Sequence, residues 1–280
     1  MSESTGSKRT EQALLDDDGF QKMKRGLPPS FQWVKDLLAS VYILPEDDTP
    51  ASVKFEFNED FFGTWAIGDA GPADHWSSTA GSGTGNQVAT TVANSVNGTV
   101  TLKSASDDGT HAANCSALTT LPLAFKPSQG GLVMEARLKI DDVSEAVLFV
   151  GFTDTISTTV ELPIFLVAAD IDSDAANAVG VGYDVDGTTK RFFHGGVNAN
   201  TDSVPAFSAH APVDDTYFTV KVEVSATGGV RGYINDDVIG VEVPAVVAPA
   251  TALCGAIVIG NRSANQVIAT IDYVRFEQNR

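Results

Sequence analysis

From Ser52 onward the apolar residues recur at every second position, and nothing else in the chain restricts its fold as much. Val53-Lys54-Phe55-Glu56-Phe57 alternates, and so do Val100–Lys103, Val133–Ile140, Phe218–Val224 and Ile268–Phe276. A period of two places the apolar side chains on one face of an extended strand and the polar ones on the other, the pattern of antiparallel sheets with one face buried and one wet. Turn dipeptides punctuate these runs: Asn97-Gly98, Asp108-Gly109, Asp186-Gly187, Gly228-Gly229 and Asn235-Asp236. Roughly twelve to fourteen short strands are expected, and strands in that number with no convincing second helix predict a two-sheet antiparallel sandwich. Short connections predict that strands adjacent in sequence pair with one another. The stretch from Ser77 to Thr120 is rich in Ser, Thr, Ala, Gly and Asn, and reads as a surface loop followed by weak edge strands.

Residues 1–50 are patterned differently. Acidic Asp16-Asp17-Asp18 is followed by basic Lys22, Lys24 and Arg25, then by Pro28-Pro29. Ser30 is placed as a helix N-cap, Phe31, Val34, Leu37, Leu38 and Val41 follow at helical spacing with Trp33 among them, and Pro45 ends the run. An isolated helix of about three turns is marginal in water, so its apolar face must pack on something. Two readings stand: the helix packs on its own β domain, or it docks on a partner subunit. The chain therefore divides into an arm, residues 1–50, and a sandwich, residues 51–280.

Charge excludes some functions. The net charge is −18, and the sandwich carries −15 of it. Nucleic-acid affinity rests on cations that neutralise phosphates, so a nucleic-acid partner is not expected. No run approaches 18 consecutive apolar residues, so no spanning helix and no membrane partner are expected. The first twenty residues lack the apolar core of an export leader, which predicts a protein assembled in the cytoplasm. Two cysteines, Cys115 and Cys254, make one bridge at most or stand as two buried thiols.

Catalytic patterns are sparse. Gly81-Ser82-Gly83-Thr84-Gly85 does not match a nucleophile elbow, and no metalloprotease, Walker or paired Cys-x-x-Cys pattern occurs. His75, His111, His194 and His210 are far apart in sequence and read as surface or loop residues. Glycoside hydrolysis needs two carboxylates across the sugar bond, and none of the eleven glutamates stands in a Glu-x-Asp-x-Glu spacing. The expectation is a non-enzyme, with no catalytic residue assigned. Asp170, Asp172 and Asp174 carry oxygens at alternate positions, a candidate site for structural Ca²⁺, without the glycine and glutamate that an EF-hand loop requires. Asp184 and Asp186 form a second acidic cluster, read either as a weaker Ca²⁺ candidate or as solvated carboxylates in a hairpin whose turn is Asp186-Gly187. Trp65 reads as core. Trp76 stands equally as core or as an exposed platform for glycan binding.

Four segments carry a family likeness: Val150-Gly151-Phe152-Thr153-Asp154, Val181 to Gly187, the hairpin Arg231-Gly232-Tyr233-Ile234-Asn235, and the closing Ile271 to Phe276. Together they resemble the concanavalin A-like (laminin G-like) jelly-roll sandwiches of virion structural proteins in tailed bacteriophages. The closing segment resembles the last strand of such domains, which pairs beside the first. The resemblance implies a capsid decoration or head-fibre protein, held on the outer capsid surface by residues 1–50 with the major capsid protein as partner, and with a dimer or trimer as its assembled state. Val241 to Ala250, apolar and of low charge, is the segment expected at the contact between copies. An adhesin that reads host glycans is the alternative role.

Overall fold

The computed structural model describes residues 54–61, 76–85, 87–91, 98–106, 111–120, 123–155 and 162–279. The expected docking residues Lys22, Lys24, Arg25, Phe31, Trp33, Val34, Leu37, Leu38 and Val41 lie outside them, as does Trp65. The chain divides into two units, Met1–Ser52 and Val53–Arg280.

The second unit is a sandwich of two antiparallel sheets, front and back, and the chain keeps crossing between them. Strand β1 (Lys54–Glu59) lies in the front sheet and β2 (Trp76–Ala80) in the back. The front sheet takes β3 (Gln87–Thr91) and β4 (Val100–Lys103). A single helical turn, α1 (His111–Asn114), then leads to β5 (Ser116–Thr120) in the back. β6 (Leu132–Ile140) is front and β7 (Ala146–Thr153) back, and the two-stranded pair β8 (Phe165–Val167) and β9 (Asp170–Asp172) stands apart from both sheets. β10 (Asn177–Asp184), β11 (Phe193–Asn198), β12 (Thr201–Asp202) and β13 (Ala206–Phe207) continue the back sheet. β14 (Phe218–Val224), β15 (Val230–Ile234) and β16 (Asp237–Val238) return to the front, β17 (Cys254–Asn261) is back, and β18 (Ile268–Asn279) ends the front sheet.

The two-sheet sandwich expected from the alternation is thus present, with two corrections. β2 (Trp76–Ala80) runs into the start of the stretch from Ser77 that was expected to be loop. Sequence neighbours pair in the β10–β11 and β14–β15–β16 hairpins, but β6 lies between β14 and β18, and β7 between β10 and β17. Crossing over gives each half-apolar strand a facing layer at once, which sideways pairing does not. As expected, the last strand closes beside the first, from Lys54 opposite Asn279 to Glu59 opposite Val274.

Between the sheets lies the main core. Leu132, Met134, Ala136, Leu138 and Ile140 of β6 point into it, alternating with half-buried Val133, Glu135, Arg137 and Lys139. The middle of the back sheet, β7, β10 and β17, is buried on both faces. A second cluster, including Phe149, Leu162, Phe165, Ile171 and Phe193, covers its outer side, so β7, β10 and β17 read as unbroken apolar runs. Gly151, Gly180 and Gly195 stand opposite one another across β7, β10 and β11. A methyl group at Gly180 would lie 2.7 Å from the Phe149 ring and 2.5 Å from the Val150 carbonyl, so glycine makes the space in which that ring lies. Val246 and Val247, within the segment expected to touch another copy, are buried in this chain's own core, whereas Val241 is exposed.

Candidate functional site

With the middle of the back sheet covered, the outer side of the front sheet is the open sheet face among the described residues. Register orders its side chains into rows. One row reads Tyr233, Lys221, Glu135, Arg275 and Asn58 across β15, β14, β6, β18 and β1; the next reads Arg231, Glu223, Val133, Glu277 and Glu56. The rows interlock through ion pairs and hydrogen bonds. Glu223 accepts from Lys221 Nζ and from the Tyr233 hydroxyl, each at 2.9 Å, and the Lys221 ammonium lies 4.1 Å from the centre of the Tyr233 ring. Arg231 bonds Glu242 at 3.2 Å, Arg275 pairs with Glu56 at 3.1 Å and with Glu277, and the Tyr273 hydroxyl donates to Glu135 at 2.7 Å.

At the end of this face where β14 turns into β15, a groove of about 300 Å³ opens, with Val133 in its lining beside Glu223, Arg231, Glu242, Glu277 and Gln278. Strands lie about 4.8 Å apart, so Glu223 and Glu277, on either side of Val133, stand roughly 9.6 Å apart at the backbone. Burial disfavours a charge on Glu223, but the hydrogen bonds from Lys221 and Tyr233 outweigh it and hold the carboxyl below its ordinary value. Glu223 is therefore a fixed anionic acceptor at neutral pH, and each glutamate of the groove has a cation beside it. Such a groove offers planar donors and acceptors of set orientation, the equipment for holding a hydroxyl-rich ligand.

The residues singled out in the sequence lie elsewhere. Trp76 is 3% exposed, with its ring 5.8 Å from Phe276 and 6.0 Å from Phe61, so it is core and offers no platform. Asp170 and Asp172 are exposed on β9, while the Asp174 carboxylate turns back to accept the Leu162 N–H at 3.2 Å. Among the described residues no three His, Cys, Asp or Glu side chains converge as metal ligands. Asp184 is no solvated turn residue. It is fully buried, accepts the Leu166 and Asp186 N–H groups at 2.9 and 3.0 Å, and is gripped by Arg262, which fills the place a cation would take. Cys115 and Cys254 are free and buried, and burial pushes both thiols up to about 12.

His194 corrects the reading of the histidines as surface residues, because its side chain is wholly buried between the sheets. Spacing within one strand does not bring the groove residues together. The alternation does put Lys221, Glu223, Arg275 and Glu277 on wet faces, but the rows that join them come from pairing between distant strands.

No protein-family model matches the chain, and no curated protein does. Solved structures do. A protein of unknown function from Shewanella oneidensis MR-1 is similar over 90% of this chain and 95% of its own, at 16% identity and a TM-score of 0.51. An endo-1,3-beta-glucanase from Streptomyces sioyaensis is similar over 84% of this chain and all of its own, at 10% identity and a TM-score of 0.53. At such identities the likeness concerns the fold alone. The chain is a concanavalin A-like jelly-roll sandwich.

Proposed function

We propose that this sandwich is a non-enzymatic glycan-binding module whose binding site is the groove on the front sheet. The observation that carries the reading is the state of Glu223: it is held charged between Lys221 and Tyr233, as an acceptor for sugar hydroxyls, where a general acid would need its proton retained. A glycan array followed by calorimetry tests it. The intact chain binds an oligosaccharide, and Glu223→Gln and Arg231→Ala each weaken binding about tenfold or more, in line with the loss of a charge-assisted hydrogen bond, while leaving the melting temperature little changed. No binding to any arrayed glycan overturns the reading. Reducing ends released from a β-glucan by the intact chain and not by Glu223→Gln would make the same groove catalytic instead.

A second reading concerns where the module works. The division of the chain at Ser52 supports an arm that tethers the sandwich, as a capsid-surface protein of a virion requires. In this reading residues 1–50 bind the major capsid protein and the groove faces outward. Removing them abolishes co-sedimentation with capsids; retained co-sedimentation would move attachment to the sandwich itself.

A further inference from the structure

One wall of the groove is held by a buried imidazole. β15 pairs with β16 in the register Tyr233 opposite Val238, and Ile239 N–H donates to the Gly232 carbonyl at 2.8 Å. A few residues later the same two chain segments pair again, Val230 opposite Val243, with bonds of 2.9 and 3.0 Å in both directions. The partner numbers add to 471 at the first pair and to 473 at the second, so the outer segment carries two extra residues in a bulge that includes Gly240, at φ 53°. In a regular ladder the Gly232 N–H would meet a carbonyl of that segment. Here His194, reaching across from β11 in the back sheet, fills the gap: Gly232 N–H donates to Nδ1 at 2.9 Å, and Nε2 lies 2.9 Å from the Val241 carbonyl.

The chemistry fixes the tautomer. A backbone N–H only donates, so Nδ1 carries a lone pair, and Nε2 carries the proton that bonds Val241. A methyl group on residue 232 would lie 3.1 Å from the imidazole Nδ1 and 2.5 Å from Val181, which makes glycine the residue that admits the ring. Glu242, next to Val241, bonds Arg231, next to Gly232, and both line the groove.

We propose that His194 is a proton-operated latch on this wall: neutral, it ties Gly232 to Val241 and holds Glu242 on Arg231; protonated, it releases the 239–242 bulge and with it that side of the groove. Protonation puts a hydrogen on Nδ1, so two donors face each other and the Gly232 bond is lost. The charged groups facing the ring are Arg231 on β15, which opposes protonation, and Glu242 in the bulge, which favours it. Its neighbours across the strands, Val181 on β10 and Ala206 on β13, are not ionisable. Burial is the largest influence and disfavours the charged ring, so His194 titrates below its ordinary value of 6.5. The closed state thus binds fewer protons than the open one. Its advantage is complete above pH 6.5 and shrinks as pH falls from there towards the lowered value.

The consequence for ligand binding rests on the groove reading, but the latch itself is tested without any sugar. Hydrogen exchange of the intact chain, corrected for the intrinsic pH dependence of exchange, is followed between pH 7.5 and pH 4.5. Protection of residues 230–243 falls about tenfold per pH unit below 6.5, as one linked proton requires, while β7 and β17 stay protected. His194→Gln flattens that pH dependence. Should the variant fail to fold, imidazole NMR of the intact chain decides, since the Gly232 amide must titrate together with the His194 ring. Unchanged protection of residues 230–243, or a Gly232 amide indifferent to the ring, overturns the latch and leaves the glycan reading standing.

Discussion

Arg262 and Asp184 show what one buried pair does for this sandwich. The Asp184 carboxylate is wholly buried at the end of β10, and Arg262 is 11% exposed, with its guanidinium 5.3 Å from the centre of the Phe165 ring. Removing the cation leaves a buried charge with only the N–H groups of Leu166 and Asp186 to stabilise it. Arg262→Met is therefore expected to cost about 3–5 kcal/mol, read as a lowered midpoint in urea denaturation. Adding Asp184→Leu recovers part of that loss but not all, because those two backbone donors are then orphaned. A double variant as weak as Arg262→Met would show that the carboxylate is not the source of the cost. None of this was legible in the sequence, where Asp184 and Asp186 read as a solvated turn. The reason is tertiary: Arg262 lies 78 residues from Asp184 and reaches it only because β17 and β10 flank β7. His194 was hidden in the same way, its two partners lying on the opposite sheet and in a bulge beyond it.

Among the elements, legibility followed wetness. All five segments found by alternation belong to the front sheet, as β1, β4, β6, β14 and β18. Their outer faces meet water, so polar residues mark every second position. β7, β10 and β17 are covered on both sides, and alternation has nothing to mark there; β7 and β10 are visible only through the Val150-Gly151-Phe152 and Val181-Gly182-Tyr183 likeness, and β17 through neither. The cover has a steric signature. Gly180→Ala sets a methyl group against the Phe149 ring and the Val150 carbonyl, and overpacking of this kind costs about 1–3 kcal/mol. Chemical denaturation should show that loss, with exchange at β7, β10 and β11 rising ahead of the front sheet. An unchanged midpoint would mean that the second layer moves aside at no cost. The turns followed the sequence closely at Asn235-Asp236, where φ values of 51° and 69° give the two left-handed residues of a tight hairpin.

For the molecule as a whole, the division at Ser52 predicts separable parts. A chain beginning at residue 53 is expected to stay soluble and β-rich and to melt cooperatively, because the described clusters of the second unit already join its two sheets and cover the middle of the back one. Circular dichroism through the melt checks this. A broad, non-cooperative transition would mean that residues 1–52 complete the core. Whole-chain charge follows the same line: the sandwich carries most of the net −18, and screening confines its repulsion of an acidic neighbour to roughly 8–10 Å at physiological ionic strength. The pairing of β1 with β18 also bears on how the sandwich withstands load. Lys54 lies opposite Asn279, so β1 begins beside the end of the last strand. Tension applied between those two ends would peel β1 away one residue pair at a time, as a zipper opens, and not shear all its bonds together.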